Sequence, residues 1–241
     1  MSVRRHVYPS QEEAAQACAV HCASIIEEAL SAKEFATVAI SGGSTPRLMF
    51  AALAKMDLPW KRIHWFWVDE RAVPPGQPQS NFSMAEQYLL RPARVPQPNI
   101  HRIHAELGAH EAAAEYVTQI RRVFGLAEGE LPHFDLMQRG VGADAHTASL
   151  FPGEPLIEDR VGIAASVFVE KFNQWRITLL PGVLLAAAHT AMLVCGADKK
   201  DAVRDVLLSE YDPMRFPAQI VSHHGRSVHW FLDEPAAAAL D

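Results

Sequence analysis

The segment Gly140-Val-Gly-Ala-Asp-Ala-His-Thr-Ala-Ser-Leu-Phe-Pro-Gly153 sets a carboxylate, Asp144, two residues before an imidazole, His146, in a glycine-rich turn. An imidazole titrates near neutral pH and becomes a general base when a partner fixes its orientation. The apolar run Phe134-Asp-Leu-Met137 just upstream reads as a buried strand. The turn therefore falls at a strand's carboxyl end, where open α/β sheets bind ligands.

A second constellation concerns anions. Ser41-Gly-Gly-Ser-Thr-Pro46 combines small residues, which admit a ligand close to the backbone, with a helix start whose free amides point outward. The same segment equally suits a plain strand-to-helix turn. Asp69-Glu70-Arg71 closes an apolar strand and reads either as a salt-bridge corner or as site residues, Arg being suited to bidentate phosphate recognition. Arg176 heads one strand and Lys199 opens one helix; each alone reads as a surface charge.

Several chemistries lack their signatures. No Gly-Lys-Ser/Thr follows the first glycine turn, so it is not a Walker A loop. Gly140-x-Gly142-x-x-Ala145 formally fits a dinucleotide turn, but Glu158 and Asp159 precede a strand instead of ending one. The 12 histidines include no His-Glu-x-x-His and no Cys/His cluster, which disfavours zinc. A Gly-x-Ser-x-Gly elbow is missing, and Ser149, three residues after His146, reads as a helix residue on the same face as the histidine.

The elements that must position these groups alternate. Ser10-Gln-Glu-Glu13 has capping-box form ahead of a helical pattern running to Leu30. Strands are expected at Phe35–Ile40, Ile63–Val68, Phe134–Met137, Val161–Phe168, Arg176–Leu180, Thr190–Cys195 and Val228–Leu232. Helices are expected from Thr45-Pro46, from Ser80-Asn81, over Glu111–Phe124, Ala197–Leu208 and Glu234–Leu240. Strands that are apolar throughout, alternating with helices, predict a mainly parallel sheet covered on both faces, in one α/β domain spanning residues 1–241.

A net charge of −6 argues against nucleic acid and membrane surfaces as partners, and a few local cations suffice for a small anion. The 3 cysteines lack Cys-x-x-Cys spacing and predict buried thiols in a reducing compartment. Arg4 and Arg5 precede no signal-peptide core, and no run approaches the roughly 18 apolar residues of a membrane span. The expected location is the cytoplasm. The oligomeric state is left open between monomer and weak dimer.

Together these blocks resemble the 6-phosphogluconolactonase family, nearly end to end. They are Ser41–Pro46, Trp67-Val-Asp-Glu-Arg71, Ser80-Asn81, Asp144-Ala-His-Thr-Ala-Ser-Leu-Phe-Pro152, Arg176-Ile-Thr178, Gly196-Ala-Asp-Lys199 and Trp230-Phe-Leu-Asp233. The resemblance implies a Rossmann-like fold, shared with glucosamine-6-phosphate deaminases. It implies hydrolysis of 6-phospho-D-glucono-1,5-lactone to 6-phospho-D-gluconate in the pentose phosphate pathway, with no metal or organic cofactor. His146 would then be the base for water and Asp144 its orienting carboxylate. Gly42, Gly43, Ser44, Arg71, Arg176 and Lys199 would surround the phosphate and the developing oxyanion, and Asn81 would meet a sugar hydroxyl.

Two alternatives share these motifs. One is the deaminase, which has a carboxylate where this chain has Phe151 and a tyrosine where it has Arg71. The other is a sugar-phosphate sensor without turnover. It is motivated by Ala145, where the family usually has glycine, and by Gln138-Arg139, where the family is apolar. If position 145 needs positive φ, alanine costs about 1–2 kcal/mol there. A cation at 139 beside the site would either lower the imidazole's basicity or bind anions.

Overall fold

The computed structural model describes residues 3–240. The strands are β1 (Arg4–Tyr8), β2 (Ala36–Ile40), β3 (Ile63–Trp67), β4 (Asp69–Arg71), β5 (Ile100–His101), β6 (Leu136–Arg139), β7 (Ala164–Val169), β8 (Gln174–Leu179), β9 (His189–Val194) and β10 (Ser227–Asp233). The α-helices are α1 (Gln11–Ala32), α2 (Ser44–Leu53), α3 (Asn81–Ala85), α4 (Ala109–Phe124), α5 (Pro181–Ala186), α6 (Lys200–Leu208), α7 (Gln219–His224) and α8 (Glu234–Ala237).

Seven strands form one sheet in the order β1-β10-β9-β6-β2-β3-β5, and every neighbouring pair is parallel. All five residues of β2 are buried, as a strand covered on both faces requires. Parallel pairing brings the carboxyl ends of β2, β3, β6 and β9 to one edge. The chain winds outward from β2 through β3 to β5, then returns to β6 on the other side of β2. The boundary between β2 and β6 is therefore the topological switch point, where such sheets open a crevice. The Ser41 loop leaves β2 there and the Asp144–His146 turn leaves β6 there. Helix α1 packs along one face, its Ser10 N-cap accepting a hydrogen bond from the Glu13 amide.

The structure departs from the sequence expectation in a second sheet. Strands β4, β8 and β7 form an antiparallel sheet, and β4 and β8 both edge the site. Val68 joins the two sheets: its N–H donates to Ile40 O and its carbonyl accepts from Leu179 N–H. Apolar content alone does not distinguish a parallel from an antiparallel buried strand, which is why β7 and β8 read as members of the main sheet.

Ser149 is not on a helix; it lies in a tight turn bridged between Thr147 and Leu150. Pro152 and the glycine after it stop a helix from propagating there. The C-terminal helix ends at Ala237, short of the expected Leu240. Strands β1 and β5 and helices α5 and α7 are too short or too polar to show periodicity. One apolar cluster underlies both sheets. All three cysteines are free and buried, and among the described residues no helix is long and apolar enough to cross a membrane.

Candidate active site

A cavity of ≈ 240 Å³ opens at the switch point. Its wall takes the Ser41–Pro46 turn from β2, Asp69 and Arg71 from β4, Asn81 from α3, Gly140, Gly142 and His146 from the turn after β6, Arg176 from β8, and Cys195 and Lys199 beyond β9. Every substrate-binding residue expected from sequence is on this wall. Asp144 stands behind it, against His146.

The imidazole is held from three sides. His146 Nδ1 lies 2.5 Å from Asp144 Oδ1, a contact that fixes the Nδ1–H tautomer and leaves Nε2 bare for the cavity. Phe151 stacks on the ring, with centroids 4.1 Å apart. Gly142 closes the third side: a β-carbon there would collide with the imidazole and crowd Asp144. The turn itself is tied by Gly142 N–H to His146 O (2.9 Å), Ala145 N–H to Gly142 O (2.9 Å) and Ala218 N–H to Ala145 O (3.0 Å).

Burial acts to raise the Asp144 carboxyl's pKa, but hydrogen bonds from His146 and Lys171 outweigh it and hold the group well below the usual carboxylate range. Asp144 is thus an anion wherever the imidazole can act as a base. Ala145 has φ 63° and Ala148 φ 54°. Position 145 does require the left-handed conformation, and alanine occupies it nonetheless.

Opposite the imidazole, α2 starts at Ser44 with Gly43 as its N-cap. The first amides of a helix have no intrahelical acceptor and so offer donors to an anion. Gly42 packs so tightly on the Asn81 side chain that a β-carbon would overlap it. Arg71 and Arg176 are direct register partners across β4 and β8. Neither forms an ion pair among the described residues, and each has a buried Nε without a partner. Burial lowers the Arg176 pKa, Asp69 opposes that, and Arg71 adds to the lowering. Lys199 Nζ has only the exposed Asp198, 3.2 Å away.

The Asp69-Glu70-Arg71 corner divides its labour. Glu70 is structural: it accepts from the amides of Arg71, Asn81 and Phe82 and from Ser80 Oγ, fixing the start of α3. Burial pushes its carboxyl up, against those four hydrogen bonds. Asp69 faces the cavity, held by Ser149 Oγ (2.6 Å) and Asn81 Nδ2 (3.2 Å). The Asn81 amide group therefore spends its donor on Asp69.

The expected cation beside the site at position 139 is absent from the cavity. Arg139 is fully buried and none of its three nitrogens has a partner among the described residues; burial lowers its pKa to about 9. Strand alternation explains this, since β6 is interior on both faces and residue 139 must point into the core. Gln138 is also buried, its Oε1 accepting from Ser41 N–H at 3.4 Å.

The model of glucosamine-6-phosphate isomerases/6-phosphogluconolactonase matches residues 9–230. The chain belongs to that family. Among its relatives, the 6-phosphogluconolactonase of Synechocystis sp. (strain ATCC 27184 / PCC 6803 / Kazusa) is 36% identical over 89% of each chain. The 6-phosphogluconolactonase of Trypanosoma brucei superposes with a TM-score of 0.89 at 26% identity, covering 100% of this chain and 99% of that one. A monomeric glucosamine-6-phosphate deaminase, 19% identical, superposes with a TM-score of 0.83 over 98% and 100%. That last likeness shows the shared fold alone.

Within this family frame, the sequence left Asp69 open between corner and site, gave Phe151 no contact with the imidazole, and did not point to Lys171. Asp69 sits inside a recognised block, but only the β4–β8 pairing reveals that it faces the cavity. Phe151 stood out as the lack of a deaminase carboxylate, and its stacking on His146 is a tertiary contact. Lys171 carries no local signal at all.

Proposed function

We propose that the protein hydrolyses 6-phospho-D-glucono-1,5-lactone to 6-phospho-D-gluconate, the lactonase step of the pentose phosphate pathway. The observation that carries this reading is the placement of a carboxylate-oriented imidazole on one side of a single cavity. Two arginines without ion pairs among the described residues, Lys199 and helix-start amides line the other. A phosphorylated sugar spans such a cavity from its phosphate to its reacting carbonyl.

Nε2 of His146 takes a proton from water, whose oxygen attacks the lactone carbonyl carbon. The carbonyl oxygen becomes an oxyanion, stabilised by the neighbouring cations. Collapse breaks the ring C–O bond, and the imidazolium returns its proton to the leaving ring oxygen. Asp144 steadies the imidazolium in between. A lactone is an activated ester and water is the only co-reactant. Asp69 and Asn81 lie where they can meet sugar hydroxyls. Phe151, at the position of the deaminase carboxylate, favours a lactone over an amino sugar. The free buried thiols suit a reducing cytoplasm.

The test is acid release from freshly generated lactone, measured against spontaneous hydrolysis, with wild type and His146→Ala. A positioned base contributes about 10²–10⁴-fold, and His146→Ala loses that factor. Saturable 6-phosphogluconate binding without acceleration identifies a sensor instead. Ammonia release from glucosamine 6-phosphate overturns the lactonase reading.

A further inference from the structure

The tip of the β7–β8 hairpin reaches the catalytic turn from a separate sheet. It is built by a short 3₁₀ turn, Glu170–Phe172, closed by Asn173 in the left-handed region at φ 46°. Two successive side chains of this tip touch site residues. Lys171 Nζ donates to Asp144 Oδ2 at 2.9 Å. The Phe172 ring lies 5.1 Å beneath the Arg176 guanidinium and 5.8 Å, edge on, from Phe151. Asp144 is thus bridged, one oxygen on the His146 imidazole and the other on an ammonium from another element.

We propose that Lys171 is a positioning residue that acts on His146 through Asp144. Two effects follow from the bridge. With Oδ2 occupied, the carboxylate cannot rotate, so Oδ1 stays on Nδ1 and the bare nitrogen stays on the cavity side. The ammonium also offsets part of the Asp144 charge, so the carboxylate orients the imidazole without holding it protonated as strongly as an unpaired anion would. The other charges facing His146 are Asp69, Arg71, Arg176 and Lys199 around the cavity. Glu154 and Glu170 line the groove on the outer side of Asp144. Of the cations, Lys171 alone is hydrogen-bonded to Asp144 among the described residues. Its side chain is 62% exposed, so its loss leaves the core packing intact.

This inference rests on the lactonase reading for its kinetic arm, and a second arm is independent of turnover. Wild type, Lys171→Met, Lys171→Gln and Lys171→Arg are compared in kcat/KM against pH on fresh lactone. The His146 ring-proton NMR signal is titrated in parallel. In both neutral variants the acid limb and the NMR midpoint move together to higher pH by about half a unit. That is the effect of one charge a few ångströms away in a high dielectric. Lys171→Arg restores the wild-type values. An unmoved midpoint, a shift to lower pH, or Lys171→Arg behaving like Lys171→Met overturns the proposal. A wild type that fails to accelerate lactone hydrolysis overturns the functional reading instead, and the NMR titration still decides the role of Lys171.

Discussion

Arg71 and Arg176 stand directly opposite each other on antiparallel strands, and neither guanidinium has a carboxylate within ion-pair distance among the described residues. Opposed like charges destabilise a strand pair. The arrangement is sensible if a shared anion sits between them. Arg176→Met keeps an unbranched side chain over the Phe172 ring and removes the charge. One charge-assisted hydrogen bond is worth about 1.5–3 kcal/mol, so 6-phosphogluconate binding weakens about 10- to 100-fold. Thermal stability without ligand stays level or rises. Calorimetric titration and a thermal melt check both, and unchanged affinity would sink the assignment.

The buried Arg139 makes a different prediction. A guanidinium in the core without partners carries an uncompensated desolvation penalty, and replacing buried charges by apolar residues of similar size is often stabilising by about 1–4 kcal/mol. Arg139→Met therefore raises the denaturant midpoint and leaves lactone turnover unchanged. A variant less stable than wild type would mean that the guanidinium has a compensating partner, such as a buried water.

Ala145 occupies a left-handed position at an apparent penalty of about 1–2 kcal/mol. Its methyl is buried, worth about 0.8 kcal/mol, and alanine restricts the unfolded chain by about 0.4–1 kcal/mol relative to glycine. The terms nearly cancel, so alanine can stand in this turn. Ala145→Gly shifts the unfolding free energy by less than about 1 kcal/mol and leaves kcat/KM within about threefold. Ala145→Val, β-branched at positive φ, loses both stability and activity. A tenfold gain in kcat/KM for the glycine variant would show that alanine misplaces His146.

One half-buried and one buried histidine, His21 and His101, set the response to acid. Burial, with the charges of His229, His6, His189 and Arg4, lowers the His21 pKa to about 4. Burial, with His64 and Arg122, lowers His101 likewise to about 4. The unfolded chain protonates these groups near the ordinary value of about 6.5. Between those values it binds more protons than the folded protein, so stability is present at neutral pH and is lost as pH falls from about 6.5 toward 4. Denaturant midpoints at pH 7 and pH 5 check this. His101→Phe and His21→Phe each shrink the drop; an equal drop in both variants would rule these histidines out as its cause.

The sequence by itself determined the α/β class, the glycine turn after the first buried strand and the Asp144–His146 pair, because each is a local pattern of spacing and residue type; Arg71, Arg176 and Lys199 joined them only through the family resemblance. Strand–turn–helix punctuation is written in contiguous residues, and so is a carboxylate two positions from a histidine. Tertiary structure alone decided which groups face the cavity. Whether β8 joins the main sheet or pairs antiparallel with β4 depends on long-range hydrogen bonds, and that pairing set Arg176 against Arg71 and turned Asp69 inward. Alternation along a strand buried on both faces sent Arg139 into the core. The ring of Phe151 reached His146 because no helix follows the turn. Lys171 met Asp144 across 27 residues of chain, a contact made by folding one sheet's hairpin over the other sheet's carboxyl edge.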